Sequence, residues 1–154
     1  MNYSLLDKLT IVIFTYNRHK FLRRTIDYWT NYNIKLLILD GTKTKLEDAN
    51  LKKKNIQYIH NTNGLYDRLL SSKDYVNTEF MILAADDEFY LPSALSSCVH
   101  FLIHNSSFSS CSGRTLGFGR GNGKKIYGKK IYPQLEHLSL NQDSVKQRVL
   151  NHFS

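Results

Sequence analysis

A chain of 154 residues, 42% hydrophobic and 22% charged, is the size of one domain with a single packed core, which excludes a disordered polypeptide. No apolar run is long enough to span a bilayer, and the opening Met1-Asn2-Tyr3-Ser4-Leu5-Leu6-Asp7 lacks the basic-then-apolar pattern of a secretory signal. The net charge of +8 is uneven: residues 1–113 hold 13 basic and 11 acidic side chains and residues 114–154 hold 8 and 2, so the excess that attracts anions lies in the last quarter.

Leu9 to Thr15 is a β-branched apolar run and predicts a buried strand. Asn17 is suited to cap the helix that follows, in which Phe21, Leu22, Thr25, Ile26 and Trp29 recur at helical spacing. Ile34 to Leu39 predicts a second strand, ended by Asp40-Gly41-Thr42, and a short charged helix is expected near Leu46–Lys54. Ile56 to His60 predicts a third strand, followed by the turn Asn61-Thr62-Asn63-Gly64. Leu65, Leu69, Leu70 and Tyr75 or Val76 outline a helix. Phe80 to Ala85 predicts a fourth strand running into Asp86-Asp87-Glu88, and Pro92 suits the first turn of a helix reaching about His104. Beyond it, Phe108 to Gly113 reads as a further strand, Gly121-Asn122-Gly123 as a turn and Lys124 to Tyr132 as a returning strand. Asn141 is suited to cap a last helix carrying Val145, Val149, Leu150 and Phe153.

Four alternations of strand and helix predict an α/β fold: a mostly parallel sheet with helices on both faces. Ligands of such sheets bind at the carboxyl ends of the strands. Thr15-Tyr16-Asn17, Asp40-Gly41 and Asp86-Asp87-Glu88 all fall there. Three adjacent acids repel one another and call for a compensating cation, and carboxylate oxygens suit Mg²⁺ or Mn²⁺. On extended backbone Asp86 and Glu88 would face a ligand together, with Asp87 turned away unless the chain bends. The alternative is an exposed acidic turn ahead of a helix.

Leu9 to Arg18 resembles the opening strand and loop of glycosyltransferase family 2. Ile38-Leu39-Asp40-Gly41-Thr42 resembles that family's second-strand motif, and Phe80 to Leu91 resembles its strand bearing the D-x-D metal motif. The three occur in the family's order over roughly residues 8–105. The resemblance implies a Rossmann-like GT-A sheet that binds a nucleotide sugar, UDP- or GDP-linked, and transfers the sugar to a hydroxyl of a glycan, lipid or protein with Mn²⁺ or Mg²⁺. It implies that Thr15, Tyr16 and Asn17 line the nucleotide pocket. Asp40 would bond base or ribose, Arg68 would lie near the diphosphate, and Asp86 would contact the ribose or assist the metal. Glu88, or Asp87 in the other register, would bind the metal, Glu88 being a departure from the family's usual Asp. The family's base lies well downstream of D-x-D, where this sequence offers only Glu136 and Asp143 in no recognisable motif. The expectation is therefore one domain, with 8–105 as nucleotide-binding core and 106–154 as a partial, truncated acceptor side, and with the catalytic residue unassigned.

Other features read more blandly. Cys98 and Cys111 fit free thiols in a cytosolic protein, with peripheral membrane contact left open. His100 and His104 read as a helix face rather than a metal site, Lys52-Lys53-Lys54 as a solvated face, and Trp29 as core. The glycines from Gly117 to Gly123 read as a hairpin or mobile loop rather than a phosphate cradle. Tyr127 and Tyr132 among lysines could bind nucleic acid, a reading disfavoured because lysines beside strand tyrosines are common. The competing functions are a non-catalytic nucleotide-sugar-binding fragment and a basic polyanion-binding protein.

Overall fold

A computed structural model describes residues 4–121, 125–131 and 144, with side chains omitted at residues 4, 118–121 and 125–131. The predicted last helix, Glu136, Asp143 and the tip of the glycine turn lie outside these residues. Two compact units make up the chain, Met1–His100 and Phe101–Ser154.

The first unit is a four-stranded sheet, β1 (Leu9–Thr15), β2 (Lys35–Asp40), β3 (Ile56–His60) and β4 (Phe80–Ala85), in the order β3-β2-β1-β4. All three pairings are parallel. Crossovers carry α1 (His19–Trp29) between β1 and β2 and α2 (Leu65–Ser72) between β3 and β4; α3 (Pro92–His104) follows β4. β1 is central, with buried side chains on both faces, which is why it reads as a continuous apolar run. Its residues alternate between two cores. Ile11 and Ile13, with Leu36 and Ile38 of β2, pack against Leu22, Ile26 and Trp29 of α1 and Leu95 and Val99 of α3. Val12, with Leu37 and Leu39, faces the other way against Ile59 and Val76, on the face where α2 lies against β2. The buried stripe of α1 is Leu22, Thr25, Ile26 and Trp29, so Trp29 is core as the spacing predicts.

Three local expectations are corrected. Asn17 does not cap α1: it sits at φ 57, the left-handed region, and Arg18 precedes the first helical turn without a side-chain cap bond. Asn tolerates that conformation better than most residues, so it bends the chain out of β1 instead. The charged helix near 46–54 is only a 3₁₀ turn, Ala49–Lys52, which Asp48 caps by accepting from the Asn50 N–H. Phe108–Gly113 is not a strand. The second unit instead contains an antiparallel pair, β5 (Thr115–Gly121) and β6 (Lys125–Ile131), so Gly117, Gly119 and Gly121 lie on a strand of a hairpin. Cys98 and Cys111 are not joined in a disulfide.

Candidate functional site at the carboxyl edge of the sheet

The chain steps outward from β1 to β2 to β3 and then returns to place β4 on the other side of β1. The strand order reverses between β1 and β4, and open α/β sheets bind ligands in the crevice beyond the strand ends at such a point. Thr15, the last residue of β1, lies there. It pairs in register with Asp40 of β2, while Phe14 beside it pairs with Ala85, the residue before Asp86.

Thr15 joins both sides. Its hydroxyl donates to Asp86 Oδ2 at 2.7 Å. Its carbonyl accepts from the Gly41 N–H at 3.0 Å and from Arg68 Nη1 at 3.1 Å. The acids that end β2 and follow β4 therefore meet across one residue.

On the β2 side, Asp40 is fully buried. Its Oδ1 accepts from the Thr42 N–H at 2.8 Å, and its Oδ2 accepts from the Tyr58 hydroxyl at 2.6 Å and lies 2.7 Å from His19 Nε2. Burial alone would raise its pKa, but the bonds from Tyr58, Thr42 and His19 together hold it below the usual carboxylate value. Burial and the Asp40 carboxylate in turn push the Tyr58 phenol up. The turn is closed by the Asn17 N–H donating to Thr42 Oγ1 at 2.8 Å and by His60 Nε2 lying 2.6 Å from the Thr42 carbonyl. A direct bond from Asp40 to a base or ribose would need one of these partners to leave.

Arg68 departs from the usual surface position of arginine. It is buried, and its guanidinium holds three carbonyls: Thr15 and Leu39 through Nη1 and Asn63 through Nε. No carboxylate pairs with it among the described residues. A β-carbon on Gly41 would stand 2.5 Å from its Cζ, so only glycine lets the β2 turn lie over the guanidinium.

On the β4 side, the acids do not run on as a strand. The Glu88 N–H donates to the Ala85 carbonyl, forming a turn. The bend reverses the expected pairing, bringing Asp86 and Asp87 together and turning Glu88 away. Asp86 is buried, and Arg18 Nε lies 3.2 Å from its Oδ1. Arg18 Nη2 reaches Asp87 Oδ2 at 2.5 Å. Glu88 Oε2 folds back onto the Ala85 N–H and the Tyr90 hydroxyl, each at 3.0 Å. Burial raises the Asp86 pKa, with Thr15 and Arg18 opposing and Asp87 assisting. The Thr25 hydroxyl fixes the Asp86 carbonyl at 2.7 Å. Tyr16 and Asn17 expose their side chains just beyond the carboxyl end of β1.

The site thus unites Thr15, Asp40, Arg68 and Asp86 as buried groups around one strand end, with Tyr16, Asn17 and Asp87 exposed. Sequence reading missed His19, Tyr58, Arg18 and Thr25 as partners. Among the described residues no three His, Cys, Asp or Glu side chains form a group that could hold a metal ion, His100 and His104 included. Among the same residues, no helix is long and apolar enough to cross a membrane. A hollow of about 520 Å³ opens at the other, amino-terminal end of the sheet, lined by Thr10, Lys35, Tyr75 and Asn77, away from these acids.

No curated protein matches the chain. The family described as Glycosyl transferase family 2 matches residues 10–149, a span that includes all three strand-end segments. With a parallel α/β sheet of the GT-A kind and a match over most of its length, the chain belongs to glycosyl transferase family 2.

Proposed function

We propose that the carboxyl edge binds the nucleoside diphosphate of a UDP- or GDP-linked sugar, for transfer of that sugar to a hydroxyl of a glycan, lipid or protein acceptor. The observation that carries this reading is the meeting at Thr15 of two carboxylates and a buried guanidinium from three different elements, at the switch point of the sheet. Arg68 has carbonyl partners but no counter-ion among the described residues, so its charge favours an anion at this edge. Tyr16 offers an exposed ring for a nucleobase, and Asn17 an exposed amide. Asp40 acts by orienting His19 and Tyr58 rather than by reaching out itself.

Mn²⁺ or Mg²⁺ fits the donor chemistry here, since Mg²⁺ commonly takes one or two carboxylates together with substrate phosphates. Asp87, exposed, with Asp86 beside it, supplies hard oxygens; Glu88 would join only by leaving Ala85 and Tyr90. When bound, such an ion neutralises charge that builds on the departing diphosphate. Arg68 adds a fixed positive field of its own. An acceptor hydroxyl also needs a base, a role left unassigned among the described residues.

Calorimetric titration with UDP and with GDP, each with and without Mn²⁺, tests the reading. Metal-dependent binding that is lost in Asp86→Ala and Asp87→Ala is expected; absence of binding by either nucleotide with Mn²⁺ present refutes it. Release of free sugar from a bound donor would separate a transferase from a module that only binds.

A further inference from the structure

We propose that Arg18 is an exchangeable counter-ion: it holds the Asp86–Asp87 pair when no ligand is bound, yields Asp87 to a divalent cation, and then meets the diphosphate. The inference rests on the nucleotide-binding reading above.

Arg18 stands in the bend between β1 and α1, immediately after the left-handed Asn17. Its guanidinium spans both acids, with Nε 3.2 Å from Asp86 and Nη2 2.5 Å from Asp87. The two contacts differ in kind. Asp86 is enclosed and also held by Thr15, whereas Asp87 and Arg18 are each more than two-fifths exposed. An ion pair in water is worth little and is readily replaced. A divalent ion brings twice the charge to the same oxygens and would be repelled by a guanidinium left in place. Release need not strand the arginine. The Phe21 ring lies 4.5 Å from its Cζ, a cation–π rest that leaves the charge at the mouth of the crevice. A planar guanidinium also suits a phosphate bidentately. Exchange therefore moves one positive charge from the protein's own acids to the ligand, and the Asp86–Asp87 pair is never left without a cation.

The test compares wild type, Arg18→Ala, Arg18→Gln (similar in length but uncharged) and Arg18→Lys, with melting curves to verify folding. Free Mn²⁺ is titrated by electron paramagnetic resonance without nucleotide, then UDP and GDP are titrated by calorimetry at saturating Mn²⁺. Both uncharged variants should bind Mn²⁺ alone about tenfold tighter than wild type and the nucleotide several-fold weaker. Lysine should stay near wild type for the metal. Metal affinity unchanged or weakened in both uncharged variants overturns the exchange, even if wild type binds Mn²⁺–nucleotide normally. If no variant takes up Mn²⁺ with or without nucleotide, the metal reading of the site fails first, and the exchange with it.

Discussion

Asp40 and Asp86 flank the same residue of the same strand, yet the two sides of β1 solve the problem of a buried carboxylate in opposite ways. Asp40 is surrounded by neutral or adaptable donors: a backbone N–H, a tyrosine hydroxyl and a histidine. Asp86 has one hydroxyl, its own backbone N–H and a share of an exposed guanidinium, with a second carboxylate beside it. The first arrangement is complete without a ligand. The second is balanced by a cation that can leave. One side of the crevice is accordingly scaffold, and the other has the means to respond to what binds.

That contrast can be broken by mutation. The largest effect on folding is expected from Asp40→Ala, which strands the Tyr58 hydroxyl, the Thr42 N–H and His19; urea denaturation should show a loss of about 2–4 kcal/mol. A loss below about 1 kcal/mol would show that the β2 side is not the scaffold. Next comes Gly41→Ala, whose new methyl group meets the Arg68 guanidinium and should cost about 1–3 kcal/mol by the same measurement.

A pH series sharpens the comparison because the two shifts have opposite signs. The Asp40 pKa lies below its usual 3.8, so its ionised form contributes stability above that value, and the contribution is lost as pH falls through the folded-state value. The Asp86 pKa is raised, so its contribution is present below 3.8 and is lost as pH rises through the folded-state value. Measured from pH 3 to 7, the penalty of Asp40→Asn should shrink toward acid, and that of Asp86→Asn should shrink toward neutrality. Parallel trends would remove the distinction. The smallest effect on folding is expected from Asp87→Ala, within about 0.5 kcal/mol of wild type, because its ion pair is exposed. Its loss of Mn²⁺-dependent nucleotide binding should nevertheless be complete enough to see by calorimetry.

Much of this edge was legible in sequence, and for physical reasons. A strand buried on both faces must be apolar throughout, so β1 and β2 stand out, and the parallel βα alternation puts the carboxyl ends of all four strands together. What sequence reading missed were the bends and the long-range partners. Whether Asp86 pairs with Asp87 or with Glu88 depends on the turn after Ala85, which no local pattern dictates. Asp40 reads as an open acid because its cover comes from His19 and Tyr58, 21 and 18 residues away. One signal was available: Tyr58 and His60 alternate on β3 as two polar-tipped rings on one side of the strand, and both turn out to serve the Asp40-Gly41-Thr42 turn. Arg68 reads as a cation near the diphosphate, but nothing local shows that it is buried beneath Gly41. The hairpin was legible in its glycines and returning strand, but its first strand was placed too early, at Phe108–Gly113, because β5 is defined by its partner β6 rather than by its own apolar pattern.

The Thr15–Asp86 bond has a further consequence, for assembly. It joins residues 71 apart in sequence, so the crevice can close only after β4 has been carried back past two other strands. Pairings between such distant segments form late, because the entropy of closing the loop must be met before the contact contributes. Partly folded chains would then lack the crevice altogether. A ligand bound there adds its whole binding free energy to the native state and none to its precursors, making heat resistance a sensitive record of what the crevice accepts.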